Sequence, residues 1–182
     1  MRSISMAQPS STNSVTEIEL IKATQADQQR LENLIELYLL DFSEILGFTP
    51  GENGRFGYPL APYWSEPGRF PFLIRADGQL AGFALVSSGS QVSGDPAVFD
   101  VAEFFVVRGL RRHGVGLAAA LRVFASFAGT WEVRVMERNT GAQVFWERAV
   151  SASTKGSFES FAWQSERGTS FRVYRFVSPG RE

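Results

Sequence analysis

The chain has 182 residues and a formal net charge of −1, a length that fits one domain with a core of its own. It has no cysteine and a single histidine, which excludes disulfides, thiol nucleophiles, thiolate metal sites and histidine-cluster metal sites, while the near-zero charge argues against a chain built to grip nucleic acid. Sixteen Phe and four Trp require either a large core or an aromatic-lined pocket.

In chain order, residues 1–15 are rich in Ser, Thr, Asn and Gln and read as a disordered leader, with residues 16–182 as a single domain. No run of about 18 apolar residues is present, so no membrane-spanning helix is expected. Residues 16–22 partly alternate and predict a strand. Thr24 with Asp27 marks a helix start. Leu31, Leu34, Ile35, Tyr38 and Leu39 then recur at helical spacing, in a helix ending near Gly47. Residues 48–69 hold Pro50, Pro59, Pro62 and Pro67 together with Phe56, Tyr58, Tyr63 and Trp64, the mark of a long aromatic loop or broken helix. Residues 70–76 and 80–87 flank Asp77-Gly78 and predict a β-hairpin with a tight turn. Residues 98–107 form a strand apolar on both faces, hence central. A nearly all-apolar helix over 114–128, a strand from Thr130 to Met136, a helix over 139–150 and a final hairpin near 157–164 and 170–177 complete the order β-α-ββ-β-α-β-α-ββ. The fold class is therefore α/β of the α+β type: a mixed sheet with helices on both faces and a right-handed parallel crossover over 98–136.

The stretch that carries chemistry joins the central strand to the buried helix. It reads Arg108-Gly109-Leu110-Arg111-Arg112-His113-Gly114-Val115-Gly116-Leu117. Gly114 and Gly116 bare the backbone where the helix begins, and helix-start N–H groups with the helix dipole make an anion site. The arginines add positive charge, so the ligand is a phosphate or pyrophosphate. The Gly-Lys-Ser/Thr ending of a Walker loop is absent. Gly114-x-Gly116-x-x-Ala119 satisfies the loose dinucleotide pattern, which leaves a dinucleotide-binding oxidoreductase as an alternative, but residues 108–113 separate the first glycine from the strand.

Arg111, Gly114 and Gly116 match the Arg/Gln-x-x-Gly-x-Gly/Ala loop of the GNAT N-acetyltransferase superfamily, and Asn139, Ala142, Phe145 and Trp146 fall where its members carry Asn-x-x-Ala-x-x-Phe-Tyr. The chain resembles that superfamily from residue 16 onward. Glu103-Phe104-Phe105-Val106 and Trp131-Glu132-Val133 look like a bacterial group of acetyltransferases within it. The resemblance implies a GNAT fold with a splayed parallel strand pair that holds acetyl-CoA. It implies that the pyrophosphate sits on the N–H groups of Arg112, His113, Gly114, Val115, Gly116 and Leu117. The pantetheine arm would pair with the backbone of Phe105, Val106 and Val107, contact Asn139 and Ala142, and pack on Phe145 and Trp146. It further implies that an amine attacks the thioester directly, and that Tyr38, Asp41, Tyr63 and Trp64 shape the acceptor site, with Asp41 and Glu44 suited to a cationic amine.

Alternation places Val101, Glu103, Phe105 and Val107 on one strand face, so Glu103 is a carboxylate among apolar neighbours whose pKa burial raises toward general-base range. The competing reading is an ion pair with Arg134 or Arg75. The family's general-acid tyrosine is replaced by Trp146, whose indole N–H does not give up its proton, and Tyr174 is a substitute candidate. The expectation is a cytoplasmic N-acetyltransferase acting on a small-molecule or peptide amine, as a monomer or homodimer, without nucleic-acid or membrane partners. A non-catalytic acyl-CoA sensor is the alternative that Trp146 motivates.

Overall fold

A computed structural model describes residues 17–181; the leader expected over residues 1–15 lies outside them. The elements are β1 (Ile18–Lys22), α1 (Gln28–Leu46), α2 (Pro62–Ser65), β2 (Arg69–Ala76), β3 (Gln79–Ser88), β4 (Phe99–Val106), α3 (Val115–Phe124), β5 (Gly129–Met136), α4 (Thr140–Thr154), β6 (Glu159–Gln164) and β7 (Ser170–Ser178). The seven strands form one sheet in the order β1-β2-β3-β4-β5-β7-β6. Every pairing is antiparallel except β4 with β5.

Local chemistry explains where the elements begin and end. The Thr24 N–H and hydroxyl both donate to the Asp27 carboxylate at 3.2 Å, a cap that holds a short 3-10 turn over Gln25–Asp27. The α-helix itself therefore starts at Gln28, later than Thr24 alone suggests. It runs unbroken to Leu46 and stops at Gly47, whose φ of 73° returns its N–H to the Ser43 carbonyl. Asp77 and Gly78 both take positive φ, 48° and 75°, as a two-residue hairpin turn requires. The long segment 48–69 folds as a loop with the single short helix α2 in it.

The two sheet faces enclose separate cores. On the back, under α3 and α4, lie Ala84, Val86, Val101, Phe124, Trp131, Val133, Trp146, Tyr174 and Phe176. On the front, under α1 and α2, lie Leu31, Leu34, Ile35, Tyr38, Tyr63, Phe83, Leu85 and Phe105. Strand β3 serves both by alternation over Phe83–Val86, beyond a bulge at Ala81. Strand β4 does not. Leu85 pairs with Glu103 and the next residue, Val86, pairs with Val101, so Ala102 is an extra residue in a β-bulge. This corrects one expectation: Val101 belongs to the back core, while Glu103, Phe105 and Val107 face the front. Gly82 permits the close approach of β3 to β4, since a Cβ there would sit 2.0 Å from the Phe105 carbonyl oxygen.

Candidate active site

The parallel ladder between β4 and β5 consists of Phe99 with Trp131 and Asp100 with Glu132. Beyond that point β4 stays paired with β3 as far as Val106, and β5 stays paired with β7 as far as Met136. The two strands therefore part just before the bulge that bends β4. The opening exposes a strand edge of β4 to which an extended ligand can add its own hydrogen bonds.

Two buried acids pin the base of the opening. The Asp100 carboxylate takes Arg134 Nη2 at 2.5 Å, and burial pushes its pKa up while the guanidinium pulls it back. Glu132, fully buried, takes Arg175 Nη2 at 2.7 Å and the Ser90 hydroxyl at 2.5 Å. Neither pair was singled out in the sequence, although a Glu between Trp131 and Val133 in a central strand is a signal that a buried partner must exist.

Beyond β4 a 3-10 turn over Arg108–Leu110 leads into a backbone with positive φ at Arg112 (66°) and Gly114 (83°), after which α3 begins. The first helical hydrogen bond runs from the Ala118 N–H to the Gly114 carbonyl. The N–H groups of Val115, Gly116 and Leu117 thus have no intrahelical acceptor, and those of Arg112, His113 and Gly114 have no backbone acceptor among the described residues. A Cβ on Gly116 would meet Phe145 at 3.2 Å, so glycine lets α4 close against the first turn of α3. His113 is exposed, and its Nδ1 lies 2.8 Å from the Arg111 carbonyl, so that nitrogen carries a proton and braces the loop. Arg111 donates from Nε to the Val106 carbonyl at 2.7 Å and from Nη2 to Asp41 at 2.5 Å. Asn139 caps α4, its Oδ1 accepting the Ala142 N–H at 3.1 Å.

Glu103 stands at the bulge, facing the front. The Tyr38 hydroxyl donates to one of its oxygens and the Tyr58 hydroxyl to the other at 3.2 Å. Neither Arg134 nor Arg75 pairs with it: Arg134 holds Asp100, and Arg75 donates to the Gly78 carbonyl. Burial raises the Glu103 pKa, and the two tyrosine hydrogen bonds oppose that rise without cancelling it. Burial also pushes Tyr63 up to about 12. The sequence offers Tyr58 as a ring of the aromatic loop in the acceptor region and not as a partner of Glu103; its hydrogen bond across 45 residues leaves no local signature. It also lines a cavity of about 390 Å³ between α1 and residues 53–60, shared with Glu32, Glu36 and Arg55.

The remaining expected site residues are held within the fold. Asp41 accepts from Arg108 at 2.8 Å as well as from Arg111, so its charge is already balanced. Tyr63 is buried in the front core, and Trp64 packs against that core with its indole N–H buried and without a hydrogen-bond partner among the described residues. Tyr174 lies in the back core, on the face opposite Glu103, with its hydroxyl given to the Gln143 carbonyl at 3.2 Å. Trp146 is 7% exposed and sits among Phe104, Phe124 and Phe145, with ring centroids 5.1, 6.0 and 4.9 Å away. Phe145, less buried, is the ring nearer the α3 start.

A splayed parallel pair beside a helix start with bare N–H groups is the geometry that the sequence resemblance implies. The model of the acetyltransferase (GNAT) family matches residues 31–150. The chain belongs to the GNAT acetyltransferase family. The cofactor that goes with this family is acetyl-CoA, and the free N–H groups of 112–117 and the open β4 edge fit its pyrophosphate and its amide-bearing arm. Solved structures agree on the GNAT fold. An acetyltransferase from Thermus thermophilus is 17% identical with a TM-score of 0.67, over 91% of this chain and 99% of that one. A spermidine N-acetyltransferase from Vibrio cholerae, in complex with CoA and spermine, is 11% identical with a TM-score of 0.64, over 91% and 97%. The ribosomal-protein-S18-alanine N-acetyltransferase from Escherichia coli is 14% identical with a TM-score of 0.57, over 91% and 96%. No curated protein sequence matches significantly. The dinucleotide alternative falls away, because in this GNAT chain β4 is fed by an antiparallel hairpin rather than by strand–helix repeats. Among the described residues, no helix is long and apolar enough to cross a membrane.

Proposed function

We propose that the chain is an N-acetyltransferase that moves the acetyl group of acetyl-CoA to the amine of a small molecule or peptide, with Glu103 as general base. One observation carries this reading: a carboxylate at the mouth of the splayed strands has two tyrosine donors, no paired cation among the described residues, and a pKa raised by burial. The N–H groups of residues 112–117 hold the pyrophosphate, and the edge of β4 at Phe105–Val107, with Asn139, Ala142 and Phe145, holds the arm; Trp146 backs this wall from within the core. When bound, acetyl-CoA supplies a thioester whose carbonyl carbon bonds to the amine nitrogen as the C–S bond breaks and its electron pair goes to sulfur. Glu103 takes the proton that the amine loses, and Tyr58 offers the way out to the cavity beside α1. The Tyr174 hydroxyl already serves a backbone carbonyl, so the departing thiolate takes its proton from water or, when the acceptor arrives as an ammonium and gives Glu103 its first proton, from the nitrogen of the adduct. With a thiol pKa of about 8.5, that thiolate leaves without a dedicated acid.

The relatives act on a polyamine and on a protein alanine, judging by their names. In this chain the carboxylates around the site pair with arginines, which leaves Glu103 to meet the amine and the rings of Tyr38, Tyr58, Tyr63 and Trp64 to meet the rest of the acceptor. A cytoplasmic location, where acetyl-CoA is made, goes with this reading. The test pairs calorimetry of CoA binding with thiol release across polyamines, amino acids, arylalkylamines and peptides with free amino termini. CoA binding with thiol release supports the reading. CoA binding without release from any amine would make the chain an acyl-CoA sensor, and no binding at millimolar CoA removes both.

A further inference from the structure

Helix α1 presents two polar side chains to β4 and the loop after it, three residues apart. Tyr38 donates to Glu103. Asp41 takes Arg108 Nε on one carboxylate oxygen at 2.8 Å and Arg111 Nη2 on the other at 2.5 Å. Arg111 also holds the Val106 carbonyl and lies over the Phe105 ring, 5.4 Å from its centroid. The end of β4, the front core and α1 therefore meet at one guanidinium. The next residue, Arg112, opens the stretch whose backbone takes positive φ at two of three positions. Such a backbone is costly for a non-glycine residue and persists only when its surroundings hold it. Both guanidiniums hold Asp41, and Arg108 also lies 3.7 Å from Glu44, so these two of the loop's three arginines act here as anchors.

We propose that Asp41 is a positioning residue for the cofactor: through Arg108 and Arg111 it fastens the loop 108–114 to α1 and keeps the N–H groups at the start of α3 presented as an anion site. This rests on the acetyltransferase reading, and it moves Asp41 from the acceptor side, where its charge suggested a receiver for cationic amines, to the donor side. Two effects oppose each other when its charge is removed. The site becomes more positive, which favours an anion. The loop loses its anchor, which disfavours any ligand that needs the loop's shape. Asp41 is 19% exposed against 67% and 41% for the arginines, so the anchor is half screened by solvent, and the loss belongs at the low end for charge-assisted hydrogen bonds.

Asp41→Asn keeps the shape and removes the charge. By calorimetry it weakens CoA binding about tenfold, the low end for losing two charged hydrogen bonds. In kinetics the loss falls on KM for acetyl-CoA and leaves kcat and its acid limb in place. A double-mutant cycle gives the decisive readout: in an Arg108→Gln/Arg111→Gln background, Asp41→Asn weakens CoA no further. Unchanged or tighter CoA binding in Asp41→Asn overturns the proposal, as does a full tenfold loss that persists without the arginines. A rise in KM for the amine alone also overturns it and returns Asp41 to the acceptor. If the folded wild-type chain takes up no CoA, the acetyltransferase reading itself has failed; wild-type binding with an indifferent variant sinks only the role of Asp41.

Discussion

The two faces of the sheet are built on opposite rules. The back core is built largely on rings: Phe124 packs edge-on to Phe176 at 4.7 Å and to Trp131 at 5.5 Å, and the Tyr174 hydroxyl there is answered by a carbonyl. The front of the same strands carries Asp100, Glu103 and Glu132, three acids largely taken from water, each with its own donors. Strand β4 joins both rules in eight residues, with Val101 and Phe104 turned back and Glu103 and Phe105 turned forward. The bulge at Ala102 makes this possible, because one inserted residue shifts the alternation between Val101 and Glu103. The buried acids thus gather on one face of these strands, while aromatic packing closes the other.

The hardest break in that division is Glu103→Gln. It is expected to lower kcat/KM by about 10² to 10⁴, the usual contribution of a positioned base, while CoA affinity stays. Its effect on stability has the opposite sign. The folded state binds a proton at Glu103 more readily than the unfolded state, because burial raises the pKa. Stability from this group is therefore lost as pH rises from the ordinary glutamate range to the folded value, and is level above it. The neutral variant lacks that slope. Denaturant titrations from acid to neutral pH should show Glu103→Gln gaining on the wild type; wild type gaining on the variant would show that the tyrosines outweigh burial.

Arg134→Leu tests the base of the opening. It leaves Asp100 buried without its cation and is expected to cost about 3–5 kcal/mol in denaturant unfolding, as removing one member of a buried pair does. The deficit should shrink in acid. Without the guanidinium the Asp100 pKa rises further, so the variant loses stability as pH climbs from the unfolded aspartate range upward. A cost independent of pH would place the effect in lost packing on Phe171, over which the guanidinium lies at 5.8 Å.

This contrast also marks what the sequence made legible. Helix α1, the Asp77-Gly78 hairpin, the crossover and the glycine loop follow from spacing and backbone chemistry, which act over a few residues. The bare N–H groups at the start of α3 were readable for the same reason: Gly114 and Gly116 sit next to them. The bulge was not, because strict alternation over 98–107 gives an equally apolar pattern, and only register with β3 reveals the extra residue. The partners of Glu103 were hidden likewise. Arg134 and Tyr58 are both plausible neighbours on paper, and the choice depends on Asp100 claiming Arg134 first. Asp41 had the same ambiguity: an acid on an amphipathic helix says nothing about arginines 67 and 70 residues away.

The finest test lies within the front face, at Tyr58. Tyr58→Phe removes one of two hydrogen bonds to the Glu103 carboxylate and little volume. That bond favours the ionised form, so its loss raises the Glu103 pKa further. The acid limb of kcat/KM should move to higher pH. Activity near neutrality should fall only a few-fold, since one donor remains, and it should return at alkaline pH where Glu103 is again ionised. A structural defect gives a different pattern, a loss of the same size at every pH. A loss confined to kcat, with the limb unmoved, would instead mean that Tyr58 carries the proton away and does not tune the base. Tyr38→Phe removes the other hydrogen bond, from the more deeply buried of the two phenols, and should move the limb further in the same direction. If the two shifts come out equal, the carboxylate is held by its two tyrosines alike, and the deeper burial of Tyr38 carries no energetic weight.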